Sequence, residues 1–181
     1  MNSSKFNIVI IEGPDRVGKD TQIQAIRNHF NGDLWQVLHY SKPPKLDNAD
    51  DYILYQSSLF NQMFGLSTVV PKLILNRSHI GEAVYANYRG YDGSYVFDIE
   101  KQWVDEESDD ATVVIILVTD ADQLLKRDDG DSFYKNIEEA ESEVGRFIAA
   151  YHSTSFTNKH LINVSGKTIE QVREEIHAIL V

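Results

Sequence analysis

The residues best equipped for chemistry lie together near the start of the chain, in Glu12-Gly13-Pro14-Asp15-Arg16-Val17-Gly18-Lys19-Asp20-Thr21. Gly13 is followed by four residues and then Gly18-Lys19, a spacing that lets a loop close around phosphate. Glycines allow backbone N–H groups to converge on phosphate oxygens, a following helix N-terminus adds positive potential, and the lysine reaches the transferred group. Gly13, Val17, Gly18, Lys19, Asp20 and Thr21 are therefore candidate nucleotide-phosphate contacts. Arg16 suits the same chemistry, because a guanidinium stabilises the charge that spreads over the equatorial oxygens in phosphoryl transfer. Asp20 stands where such loops carry Ser or Thr, whose hydroxyl binds Mg²⁺. A carboxylate facing a polyphosphate is repelled unless a cation lies between them. Asp20 is thus either a metal ligand or a first-turn aspartate favoured by the helix dipole, and Thr21 supplies a hydroxyl if the register is shifted.

A loop of this kind needs a strand before it and a helix after it, and the sequence provides both. Ile8 to Ile11, Leu73 to Leu75 and Val113 to Val118 are continuous apolar runs, as expected of parallel strands covered on both faces. Leu34 to Tyr40 and His160 to Val164 read as weaker strands. Helical patterns cover Lys19 to Phe30, Asp50 to Phe64, His79 to Tyr88, about Val96 to Glu106, Ala121 to Lys126, Ile137 to Tyr151 and Ile169 to Leu180. Strands alternating with helices predict one three-layer α/β domain around a five-stranded parallel sheet, with ligands at the carboxyl ends of the strands.

Composition narrows the classes. The chain has 181 residues, 42% hydrophobic and 25% charged, which suits one globular domain. It has no cysteine, which excludes disulfides, thiolate metal sites and a cysteine nucleophile. The polar start runs directly into a strand and no apolar run approaches membrane-spanning length, so the expectation is a cytoplasmic protein without leader or membrane span, and the Asn-X-Ser sequons at Asn2 and Asn163 are chance matches. A net charge of -11 disfavours a broad nucleic-acid surface. The acidic run Asp105, Glu106, Glu107, Asp109 and Asp110 reads as a solvated loop. The six histidines show no metal-ligand spacing.

Gly13-Pro14-Asp15-Arg16-Val17-Gly18-Lys19-Asp20-Thr21-Gln22 resembles the P-loop of thymidylate kinases, commonly Gly-x-Asp-Arg-x-Gly-Lys-Ser-Thr-Gln. The similarity continues in Leu75-Asn76-Arg77-Ser78-His79-Ile80-Gly81-Glu82-Ala83-Val84-Tyr85, in Val118 to Asp131, and in Tyr88-Arg89-Gly90-Tyr91-Asp92-Gly93, which looks like phage-type members. The resemblance implies a P-loop NTPase fold and ATP- and Mg²⁺-dependent phosphorylation of a deoxynucleoside monophosphate, dTMP or a modified dUMP. Lys19, Arg16 and Arg77 would be catalytic, Asp15 would contact the acceptor sugar, Arg77 would hold the acceptor phosphate, and Arg127 would lie near the ATP base. A lid would span about 127–135, and the assembly would be a homodimer, in a host cytoplasm if phage-encoded. Asn76 replaces the family's metal-positioning aspartate, so Asp20 and Asn76 read as a compensating pair.

Other residues leave alternatives open. Lys42 and Pro43 border the acceptor or form a simple proline turn. Aromatic residues of the helix at 50–64 are core or base-stacking, with Phe60 the candidate contact. Gly81, Tyr85 and Arg89 are further acceptor candidates, Arg89 being equally readable as a surface residue. That helix carries no arginine, whereas the family uses one there to read thymine. Two other functions stay in view: a kinase acting on a modified base such as hydroxymethyluracil in phage DNA, and a catalytically silent nucleotide-binding regulator.

Overall fold

The computed structural model describes residues 3–127, 130 and 132–181, with only the backbone of Glu106 described. Five strands form one parallel sheet: β1 (Ile8–Glu12), β2 (Gln36–His39), β3 (Leu73–Asn76), β4 (Thr112–Val118) and β5 (Lys159–Asn163), in the order β2-β3-β1-β4-β5. The three central strands are buried throughout, whereas the edge strands β2 and β5 are partly exposed. That exposure is why their apolar signal is weaker in sequence. Ile11 pairs in register with Asn76 and with Ile115, which brings the ends of β1 and β3 together where the strand order reverses.

Alternate residues of each strand feed two cores. Val9, Ile11, Ile74, Ile115 and Leu117 pack under α1 (Lys19–His29) and α8 (Ile169–Leu180). Ile10, Leu75, Val114 and Ile116 pack under α2 (Ala49–Ser67), α3 (His79–Tyr85), α4 (Tyr95–Trp103) and α7 (Ile137–Ser153). A smaller cluster of Ala121, Leu124, Tyr134 and Ala140 seats α6 (Ala121–Arg127). The predicted α/β three-layer architecture is the one observed. Among the described residues no helix is long and apolar enough to cross a membrane.

Two local readings change. The acidic run is not a loop: Asp105 accepts from Ser108 N at 2.8 Å and caps a short helix, α5 (Glu106–Ala111). Asp109 in turn accepts from Thr157 N and Oγ1 at 2.8 and 2.6 Å, so the run also secures the approach to β5. The helix at 79–88 divides into α3 and a 3₁₀ turn over Ala86–Arg89, ended by Gly90 in the left-handed region. Beneath α3, fully buried His79 and Glu100 pair at 2.6 Å, and Glu100 also accepts from Thr154 Oγ1 at 2.6 Å, tying α3 and α4 to the segment before β5.

Candidate active site

The loop after β1 folds around its own backbone. Gly13 has φ 141° and a Cβ there would sit 2.2 Å from the Leu117 carbonyl oxygen, so only glycine fits. Gly18, at φ 107°, caps α1. Lys19 is 6% exposed, and its Nζ donates to the carbonyls of Gly13 and Pro14 at 2.7 and 2.8 Å. Burial lowers its pKa to about 8, with Arg77 adding to the effect and Asp15, Glu12 and Asp20 opposing it. A cavity of about 420 Å³ opens over the loop, and Arg16, Lys19, Asp20, His39, Asn76 and Arg77 are among its walls. Such a volume accommodates a triphosphate.

The two positions that depart from the thymidylate kinase pattern touch each other. Asn76 Nδ2 donates to Asp20 Oδ1 at 2.6 Å and stands 2.9 Å from His39 Nδ1. An ionised Asp20 only accepts, so the amide must present its NH₂, and His39 Nδ1 is then an acceptor. Asn76 Oδ1 is left buried with no partner. His39 was not anticipated, since it lies at the end of a weakly patterned edge strand. The donor set fits a hard divalent cation: one carboxylate facing a phosphate-sized cavity, with a buried carbonyl oxygen beside it. Among the described residues no group of three or more His, Cys, Asp or Glu could hold a metal alone, so a cation here would need phosphates and waters as its other ligands.

Arg77, at φ 69°, joins this cavity to a second one. Its guanidinium donates to Asp15, which therefore faces Arg77 in the P-loop cavity. Glu12 fixes the turn: its carboxylate accepts from Ser78 N, from Ser78 Oγ at 2.9 Å and from Gly81 N at 3.0 Å. Burial raises the Glu12 pKa, and Lys19 partly offsets that. The second slot has Arg77, Lys42, Gly81, Tyr85, Arg89 and Phe133 among its walls. Phe60 is not there. It is fully buried in the core, 5.3 Å from the Tyr40 ring, because its position on α2 points at the sheet.

The aromatic walls of this slot come from Tyr40, Tyr85 and Phe133, none of them on α2, with the Phe133 ring 5.4 Å from Tyr85 and 4.8 Å from Tyr88 behind it. Lys42 Nζ lies 5.2 Å over the Phe133 ring. Glu143 of α7 accepts from Tyr85 OH at 3.1 Å and Tyr88 OH at 3.3 Å. Burial pushes its pKa up to about 7. Arg127 reaches the P-loop, with Nη1 3.5 Å from the Arg16 carbonyl, and borders a third pocket of about 200 Å³ with Gly18, Thr21, Lys167 and Ile169. Residues 128, 129 and 131 of the expected lid lie outside the described residues.

No family model and no curated protein sequence matches the chain. Solved structures do. A thymidylate kinase of Candida albicans is 17% identical with a TM-score of 0.65, over 98% of this chain and 92% of that one. A thymidylate kinase of Ehrlichia chaffeensis is 16% identical with a TM-score of 0.63, over 96% and 98%. The YorR protein of Bacillus subtilis, solved with phosphorylated GDP, is 15% identical with a TM-score of 0.61, over 95% and 94%. The chain has a thymidylate kinase-like P-loop fold.

Proposed function

We propose that this chain is a nucleoside monophosphate kinase that transfers the γ-phosphate of ATP to a deoxynucleoside monophosphate, dTMP or a modified dUMP. The observation that carries the reading is Arg77, which is a wall of both the P-loop cavity and the second slot. A phosphate bound in each cavity would meet its counterpart at that guanidinium. Two neighbours in fold are thymidylate kinases, which supports the same reading.

In this reading the triphosphate lies over Gly13 to Thr21, and the ATP base enters the pocket beside Arg127. Lys19 leaves the Gly13 and Pro14 carbonyls for the transferred phosphate. The phosphate raises the Lys19 pKa again by opposite charge, so the ammonium form is the one that binds. Arg16 and Arg77, both walls of the P-loop cavity, stabilise the moving group, Arg77 holding the acceptor phosphate and Asp15 turning toward the sugar. Lys42, Gly81, Tyr85 and Arg89 complete the acceptor slot. Mg²⁺ bound by Asp20, with Asn76 orienting that carboxylate, would neutralise charge on the phosphates. In-line transfer in such a site rests on positioning and charge stabilisation, without a protein nucleophile.

A cytoplasmic homodimer belongs to the same proposal, and the exposure of Leu54, Tyr55 and Leu66 on α2 supports a partner surface. The test is phosphoryl transfer from radiolabelled ATP with Mg²⁺ to a panel of deoxynucleoside monophosphates and to hydroxymethyluracil-containing duplex DNA. Label in a nucleoside diphosphate is the expected result. Label in DNA, or in neither, overturns the reading.

A further inference from the structure

Of the two arginines lining the acceptor slot, Arg77 also borders the P-loop cavity and Arg89 does not. On the monophosphate kinase reading, on which this inference rests, Arg77 takes the reacting phosphate. Arg89 then faces the part of the acceptor farther from the chemistry, where a nucleotide carries its base.

Arg89 is held firmly. Its side chain is 12% exposed, one Nη2 hydrogen goes to Glu82, Nε donates to Tyr91 OH at 3.1 Å, and the guanidinium lies 5.5 Å from the Tyr52 and Tyr91 ring centres. Glu82 is 2% exposed and receives four donors: Arg89, Tyr91 OH, Gln56 Nε2 at 2.7 Å and Tyr95 OH at 3.4 Å. A carboxylate has about four lone-pair sites, so Glu82 has none left for a ligand. Its part is to fix the guanidinium. Arg89 Nη1, by contrast, has no partner among the described residues and is not among the buried polar atoms that lack one.

A guanidinium donates and never accepts. Thymine and guanine, like uracil, turn a carbonyl oxygen outward where cytosine and adenine turn an amino group. Arg89 can pair with the first kind and opposes a donor to the second, leaving both donors unsatisfied in a desolvated slot. We propose that Arg89 reads the acceptor base and admits keto bases over amino bases, with Glu82, Gln56 and Tyr91 as its positioning residues. The arginine missing from α2 is thus supplied by the turn after α3, and α2 contributes Tyr52 and Gln56 to hold it. The slot encloses about 40 Å³ here, room for little more than a water. An acceptor base is larger than that volume, so it enters only if a wall of the slot moves. The residues that hold Arg89 lie on α2, on α3 and at Tyr91, and none of them belongs to the loop of Phe133.

The experiment compares kcat/KM for dTMP, dUMP and dGMP with that for dCMP and dAMP, alongside calorimetric binding of dTMP and dCMP. The wild-type protein should favour keto acceptors by about 100-fold or more. Arg89→Met should cut that ratio by about tenfold or more. Because Arg89→Met alone leaves Glu82 buried and uncompensated, the double variant Glu82→Gln/Arg89→Met is measured too, with its melting temperature. It should show the same loss of ratio in a folded protein. A wild-type ratio near one, or a loss shared equally by all five acceptors, overturns the assignment of Arg89 while leaving the kinase intact. Absence of transfer to any monophosphate overturns the kinase reading instead, and calorimetry then decides for Arg89: equal affinity for dTMP and dCMP, or none for either, overturns it.

Discussion

The P-loop and the acceptor slot meet at Arg77 but are built on different terms. The P-loop is one contiguous stretch, and its working parts are backbone groups, two glycines and a lysine that bonds to the loop's own carbonyls. The acceptor slot gathers side chains from the segment after β2, the end of β3, α3, the 3₁₀ turn and the loop before α7. Two buried carboxylates, Glu82 and Glu143, hold its rings and its arginine. On the proposed reading, donor binding would be a property of local geometry, and acceptor choice a property of tertiary packing, free to change without disturbing the sheet.

The sharpest way to break this contrast is Lys19→Ala. Transfer should fall by about 10³-fold or more with the melting temperature nearly unchanged, because one charge-stabilising donor is lost from a loop whose backbone stays. Retained turnover would move the donor site elsewhere. Asp20→Ser should lower Mg²⁺-dependent turnover by about 100-fold, and Asp20→Ser/Asn76→Asp should recover much of it by returning the charge to β3. Full activity in the single variant would end the idea of a compensating pair.

Two glycines compare the regions by stability. Gly13→Ala should cost about 3 kcal/mol or more in denaturant unfolding, since its Cβ meets backbone 2.2 Å away at φ 141°. Gly81→Ala, whose Cβ would meet the Glu12 carboxylate at 3.4 Å, should cost about 1 kcal/mol or less. Equal costs would show that the two regions are equally rigid.

The last effect concerns Glu143 and is read against pH. Burial holds its pKa at about 7, above the ordinary glutamate value of 4.5, so the folded state binds more protons than the unfolded one in that interval. Stability should decline as pH rises from 4.5 to 7, by up to about 3 kcal/mol. Glu143→Gln should flatten the decline, as read from melting temperatures across pH.

The same contrast explains what could be read from sequence. Gly13, Gly18 and Lys19 were legible because their chemistry depends on spacing along the chain, and the central strands because burial on both faces writes continuous apolar runs. On the side of the slot, Arg77 was legible because it follows β3 directly, and Lys42, Gly81, Tyr85 and Arg89, also read as candidates, come together with it in one slot. Phe60 misled because an aromatic on an amphipathic helix carries no sign of which partner it meets. Phe133 and His39 had no signal, since their positions depend on how loops cross in space. Glu143 did carry one: it falls between Ala140 and Phe147 on the buried face of α7, where a carboxylate must have partners. Glu82, inside the buried α3, offered the same clue.

Arg16 and Arg77 are the non-glycine residues with positive φ among those described, at 66° and 69°. The backbone at both positions would rest more easily with glycine. The chain has kept arginine where its own conformational preference argues for the smallest residue. Selection for stability alone would act on these two points first, so a thermostabilised descendant of this protein would show its substitutions there.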